Sequence, residues 1–353
     1  MIFDQSIFRS YDMRGVYPTA MNEDVAYATG QAFVKVMKAK TVAVGQDVRA
    51  SGQSLKASLI RGITDAGANV IDVGVISTEM LYFASATLDC DGGMSVTASH
   101  NPAQWNGTKF IGKGGIPLTR DGQLGEIYAA VNSHEAVSEF EKGTVVTRDL
   151  LADYAEYLQR YVVAGLPQLK VVANVNFGAN GKAVDAATGT LPLELVRLNW
   201  NEDGTFPKGT PDPLLPKNRK ELSERVVSEN ANFGVAWDAD ADRCFFYDEK
   251  GRPFPGYYIN ALLTKHFLNL EPGATVILDP RQFWAILDAI GDNGKAVLSK
   301  VGHAYIKQAM REHGAIFGGE VSGHFYFRDF WRCDNGLITF LTVMGIFGQE
   351  IAK

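Results

Sequence analysis

Residues 41–74 read TVAVGQDVRASGQSLKASLIRGITDAGANVIDVG. Thr41-Val42-Ala43-Val44-Gly45 is a short β-branched run closed by glycine, the pattern of a buried strand. A helix is predicted from about Ser51, a hydroxyl residue suited to the N-cap. Leu55, Leu59, Ile60 and Ile63 fall on one face of it, and Gly67 is its stop. Val70-Ile71-Asp72-Val73-Gly74 then opens a second strand. Alternation of this kind signals an α/β architecture.

The arrangement recurs, though its sequence does not. Strands are expected to open three units, at Thr41 to Val44, Lys170 to Asn174 and Thr275 to Asp279. Later in each unit a second strand runs into a polar loop. Gly93 to Val96 leads to Ser99, Phe233 to Trp237 leads to Asp238, and Ala315 to Phe317 leads to Glu320. Ligands of open α/β sheets bind beyond the carboxyl ends of strands, so the three loops are expected to converge on one central cleft. Boundaries fall near 150 and 252, giving domains 1–150, 151–252 and 253–353. Asp149 to Tyr161 reads as a helix bridging the first two. Gly204 to Lys217 carries four prolines and reads as an extended surface loop.

Bulk properties narrow the class. A chain of 353 residues is too long for one core and suggests two to four domains. No run of 18 uncharged apolar residues marks a membrane span, and Met1 to Gln5 lacks the layout of a signal peptide. Cys90, Cys244 and Cys333 are few and scattered, which argues against a disulfide framework and points to a cytoplasmic location. A net charge of -6 argues against a nucleic-acid partner but leaves room for a small phosphorylated ligand.

The three loops carry the chemistry. Ser99 sits between a strand and Asn101-Pro102, where a strand-to-turn junction exposes a hydroxyl and following N–H groups can receive an anion. Taken alone, it reads more readily as an ordinary turn or N-cap serine. His100 suits either a phosphate contact or a turn, and Lys109 either a phosphoryl contact or a solvated cation. Asp238, Asp240 and Asp242 are spaced by two, so in an extended segment they share one side. Three carboxylates on one side repel unless a cation sits among them, and hard oxygen donors suit Mg²⁺. Arg243 follows at once and can pair with phosphate or a carboxylate. Glu320, Ser322 and His324 also alternate on an expected extended loop, with Gly319 and Gly323 letting backbone come close. Such a set suits sugar hydroxyls better than a metal; the alternative reading is a glycine turn carrying incidental polar residues.

At these residues the chain resembles the α-D-phosphohexomutase family, and within it the bacterial phosphomannomutase/phosphoglucomutase group. The resemblance spans the chain. It rests on Phe8 to Gly15 (FRxYDxRG, with Tyr11 and Arg14), Thr97 to Pro102 (TASHNP), Asn106 to Lys109, Asp238 to Arg243 (DxDxDR), Pro211 to Pro216, Lys300 to His303 (KxGH) and Gly319 to His324 (GExSGH). It implies three similar α/β/α units with mixed, mostly parallel sheets around a cleft: a phosphoserine domain, a metal-binding domain and a sugar-binding domain. The implied reaction is exchange between hexose 1-phosphate and hexose 6-phosphate, with mannose, glucose or both, through a phosphoserine at Ser99 and a bisphosphorylated sugar.

In that reading Ser99, Asp238, Asp240 and Asp242 hold Mg²⁺. Arg14, His100, Lys109, His303 and His324 serve proton transfer, charge stabilisation or phosphate contact. Tyr11, Arg243, Arg281, Gly302, His303, Glu320, Ser322 and His324 bind substrate. Glucose 1,6-bisphosphate or mannose 1,6-bisphosphate is the expected activator. The family's fourth, phosphate-binding domain is expected to be absent from this sequence, which would weaken turnover and allow a separate chain to supply that domain. The alternatives are a sugar-phosphate hydrolase and a non-catalytic binding fragment. Hexose phosphates are the expected partners, with no nucleic acid and no membrane.

Overall fold

The computed structural model describes residues 3–133 and 141–352; the expected domain limits at 1 and 353 lie outside the described residues. The chain forms two compact units. One is Met1–Leu150 with Asp203–Thr210, the other Leu151–Glu202 with Pro211–Lys353. The stretch 203–210, expected within the middle domain, therefore packs with the first unit.

In the first unit the strands are β1 (Asp12–Val16), β2 (Thr41–Gln46), β3 (Asn69–Val75), β4 (Gly92–Val96), β5 (Trp105–Gly112), β6 (Ile116–Pro117) and β7 (Val145–Thr147). They form a sheet in the order β1-β5-β4-β2-β3-β7, with β6 against β5. Its centre, β4-β2-β3, is parallel, and β5 and β1 extend it antiparallel. Val42, Val44, Val70, Met94 and Val96 are buried in it, as short apolar runs covered on both faces must be. The predicted helix spans Gly52–Asp65. Ser51 precedes it but makes no cap; its hydroxyl accepts from the Asn106 amide instead.

The second unit carries two sheets. β8 (Leu169–Asn174), β9 (Leu193–Leu198), β10 (Phe233–Trp237) and β11 (Cys244–Tyr247) run in the order β11-β10-β8-β9. β12 (Thr275–Leu278), β13 (Lys295–Leu298), β14 (Phe317–Gly319), β15 (Phe325–Phe327) and β16 (Cys333–Asp334) run in the order β13-β12-β14-β15-β16. Each has a parallel core, β10-β8-β9 and β13-β12-β14, with antiparallel strands at one edge. The chain thus carries three mixed sheets, one in the first unit and two in the second, as the expected three α/β/α units require. No helix among the described residues is long and apolar enough to cross a membrane.

Helix Gly336–Ile351 is buried along most of its length. Phe340 meets Trp237 edge-on, and Phe347 does the same to Phe233 and Phe246. The bridging helix is Leu151–Leu158 followed by a 3-10 turn. The proline-rich stretch is less exposed than predicted, because Phe206 is buried.

Asn335 ties the second unit together. Its Oδ1 accepts from Ile338 N–H as the cap of helix 336–351, and its Nδ2 donates to the Tyr154 hydroxyl at 2.7 Å. Removing both bonds in Asn335→Ala is expected to cost about 2 kcal/mol. Asn335→Ser, which keeps the cap alone, should recover roughly half of that. Denaturant unfolding of the three proteins checks both values.

Candidate functional site

In the first unit, parallel β4 delivers Thr97, Ala98 and Ser99 at its carboxyl end. Ser99 is buried and takes a left-handed conformation, φ 51°, rare for a residue with a side chain. Its N–H donates to Thr97 Oγ1 at 2.9 Å, and the Thr97 hydroxyl donates to Asp47 Oδ2 at 2.6 Å. His100 Nδ1 lies 3.2 Å from Ser99 Oγ. Arg14, on β1, donates to Asp12 Oδ2 at 2.8 Å and to Asn101 Oδ1 at 2.7 Å, and lies 3.4 Å from Ala98 O. Lys109 is buried on β5, where it stands opposite Ser95 of β4, with Nζ 3.3 Å from Thr78 Oγ1. Tyr11 is half-buried in the bend before β1.

Sequence reasoning missed Arg49. It is fully buried and paired with Asp47 at 3.1 Å. Its Nη1 donates to the carbonyls of Pro102 and Trp105, and its Nη2 to those of Ser99 and Asn101. Carbonyl acceptors leave no mark in a sequence, so the Asp47-Val48-Arg49 turn after β2 offered no usable signal.

In the second unit, β10 leads into Asp238, Asp240 and Asp242, all buried. The expected extended geometry is not what brings them together. Ala241 is left-handed, φ 63°, and its N–H closes a turn onto Asp238 O. The turn still places one oxygen from each carboxylate within 4.8 Å of the others. An all-oxygen donor set of this charge fits Mg²⁺, which takes carboxylates and keeps positions for other oxygens. Arg243 is buried with Nε 2.9 Å from Asp238 Oδ2. Burial works against its charge, but Asp238, Asp212 and Asp242 outweigh it and hold the pKa above the usual arginine range.

The third loop is a hairpin turn between β14 and β15, the glycine turn of the alternative reading rather than an extended segment. Glu320 N–H donates to His324 O, Gly323 N–H donates to Glu320 O, and Gly323 is left-handed with φ 92°. The turn gathers its polar groups all the same. Ser322 Oγ lies 3.0 Å from His324 Nδ1. Glu320 accepts from Gly302 N–H at 3.0 Å and from the Tyr326 hydroxyl at 2.5 Å.

His324 Nε2 is 3.4 Å from Asp242 Oδ1, so the aspartate loop and the hairpin meet at this imidazole. Burial opposes protonation, but Asp242, Asp334 and Glu320 raise its pKa overall. The His303 ring lies 6.3 Å from that of His324. Arg281 is half-exposed, held by Asp279 and 3.7 Å from Glu320.

Three further residues of this region were not foreseen. Tyr326 bonds Glu320, and Lys307 pairs with Asp334 at 2.6 Å, both fully buried. Asp334 in turn lies 3.9 Å from His324.

Models of the phosphoglucomutase/phosphomannomutase α/β/α domains I, II and III match residues 5–138, 152–251 and 255–353. A phosphomannomutase of Escherichia coli (strain K12) is 42% identical over 345 residues, 95% of this chain and 76% of that one. The crystal structure of a phosphoglucomutase/phosphomannomutase family protein from Burkholderia thailandensis superposes with a TM-score of 0.90 at 31% identity, covering 99% of this chain and 78% of that one. An N-acetylphosphoglucosamine mutase of Aspergillus fumigatus, in complex with GlcNAc-6P and magnesium, shares the fold with a TM-score of 0.52 at 14% identity, over 88% of this chain and 63% of that one.

Asp279 anchors the hairpin by accepting from the N–H groups of Arg281 and Val321 and from the Arg281 guanidinium. Burial pushes its pKa up, but these donors prevail and hold it below the usual carboxylate range. A depressed carboxylate stabilises the fold above its unfolded pKa, and that contribution is lost as pH falls through the folded value. Asp279→Asn is therefore expected to cost about 1.5–3 kcal/mol at neutral pH. The gap from the parent should close on acidification below about pH 4. Denaturant unfolding across pH tests the sign.

Proposed function

Because the chain belongs to the phosphoglucomutase/phosphomannomutase family, we propose that it is a phosphohexomutase exchanging hexose 1-phosphate and hexose 6-phosphate, with mannose, glucose or both. The observation that carries the reading is the buried Asp238, Asp240 and Asp242 cluster joined through His324 to Glu320 and Ser322. A set of carboxylates suited to a cation and a set of groups suited to sugar hydroxyls meet at one imidazole there, which would place a transferring phosphoryl group beside its acceptor.

In this reading residues 1–150, 151–252 and 253–353 supply the phosphoserine, the metal ligands and the sugar contacts. Ser99 carries the phosphoryl group on Oγ. The P–Oγ bond breaks as a hydroxyl oxygen of the hexose monophosphate bonds to phosphorus, and the hydroxyl proton leaves to a base. Arg14, Lys109, His303 and His324 are the candidates for that proton and for stabilising charge. The resulting sugar bisphosphate returns its other phosphoryl group to Ser99. Glu320 and Ser322 orient the sugar by its hydroxyls, and Arg281 adds positive charge beside Glu320. Asp238, Asp240 and Asp242 would hold Mg²⁺, which when bound neutralises charge on the transferring group. Glucose or mannose 1,6-bisphosphate would charge the serine.

Incubation with Mg²⁺ and glucose 1,6-bisphosphate is expected to add one phosphoryl mass to the unphosphorylated protein and none to Ser99→Ala, read by intact-protein mass spectrometry. Asp240→Asn should slow that gain by about 10²–10³-fold. No gain in the parent protein would sink the proposal. Free phosphate exceeding isomerised sugar in a time course would instead identify a hydrolase.

A further inference from the structure

We infer that Arg49 is the positioning residue for the Ser99 loop and that residues 203–210 form the strut that holds Arg49 in place. The inference rests on the reading of Ser99 as the phosphoryl carrier. Ser99 must keep a left-handed backbone that side-chain-bearing residues rarely adopt, so its neighbours have to impose it. Arg49 does so through four carbonyls. Nη2 reaches Ser99 O at 2.6 Å and Asn101 O at 2.7 Å, while Nη1 reaches Pro102 O at 2.8 Å and Trp105 O at 2.9 Å. These acceptors cover both sides of the turn, so one rigid, planar group fixes its start and its end together. Asp47 orients the fork by accepting from Arg49 Nε and Arg49 N–H, and it also accepts from the Thr97 hydroxyl beneath Ser99.

The far side of the guanidinium is covered by a segment distant in sequence. The Phe206 ring centre lies 5.1 Å from Arg49 Cζ, and Phe206 is buried. Phe206 can approach because residue 204 is glycine. A Cβ on Gly204 would meet Val48 O, Arg49 Cα at 2.6 Å and Ala50 N at 2.8 Å, all of them backbone. Gly204→Ala must therefore push the strut away from Arg49 without altering Arg49 or the Ser99 loop chemically.

The test compares Arg49→Met, Arg49→Lys and Gly204→Ala with the parent protein. One readout is the rate of mass gain from glucose 1,6-bisphosphate with Mg²⁺, together with the half-saturating bisphosphate concentration. The other is amide hydrogen exchange of 97–106 against that of β2 and helix 52–65. We expect a rate loss of about 10²-fold in Arg49→Met and about tenfold in the other two, from misplacement of the reacting oxygen. Half-saturation should stay within about twofold, and faster exchange should be confined to 97–106. Rates within about twofold of the parent in both Arg49→Lys and Gly204→Ala, or slower rates with loop exchange unchanged, would overturn the inference.

A parent protein that gains no mass removes the phosphoserine reading instead. Loop exchange then decides alone: faster exchange in Arg49→Lys upholds the clamp, and unchanged exchange rejects it. Should Arg49→Met fail to fold, Arg49→Lys and Gly204→Ala carry the same decision.

Discussion

Like-charge repulsion in a dry place governs the second unit. Asp238, Asp240, Asp242 and Asp334 are all essentially inaccessible to water. Removing an ion from water costs several kcal/mol even after relaxation, so such a group of acids persists only with compensating charge nearby. Arg243 takes Asp238, Lys307 takes Asp334, and His324 stands between Asp242 and Asp334. Arg243 and Lys307 are themselves buried and His324 is nearly so, which ties the aspartate loop, β16 and the β14–β15 hairpin into one polar cluster. A divalent cation among the three loop carboxylates would relieve the same repulsion. The chemistry proposed for the loop and the stability of the unit thus draw on one set of charges.

The first unit answers the converse problem, a buried cation. Arg49 pairs with Asp47, and its Nη1 and Nη2 donate to backbone carbonyls. A guanidinium tolerates this because it is weakly hydrated and its donors lie in a fixed plane. The Ser99 loop gains from the arrangement, since a turn leaving a strand has carbonyls no longer paired in a ladder. Two opposite charge problems therefore yield the same outcome, a polar loop held in a defined shape at the carboxyl end of a parallel strand.

What the sequence revealed follows from which partners have side chains. The β2–helix–β3 repeat was legible because its period and its apolar residues are written in side chains. Ser99, Asp238 and Glu320 were legible because each follows a buried strand in similar fashion. Even there the geometry was misjudged. Two-residue spacing suggested extended segments, whereas Ala241 and Gly323 turn left-handed and gather the same groups by folding back. Arg49 stayed hidden because carbonyls are anonymous in a sequence. Lys307 and Asp334 stayed hidden because a buried ion pair between a helix and a short edge strand has no fixed spacing.

The misjudged turns point to a physical rule for these loops. A left-handed residue with a Cβ is disfavoured unless its surroundings over-determine it. Ser99 is held by the Thr97 hydroxyl and Arg49, and Ala241 by its bond to Asp238 O, with Gly336 close against the Ala241 carbonyl. Phe206, left-handed as well, sits on the guanidinium that holds Ser99. Restraints on both sides of a strained residue leave its loop few alternative shapes. That economy of shape is what the proposed phosphoryl transfer would demand, because the oxygens of the group would have to meet fixed charges without waiting for the loop to rearrange.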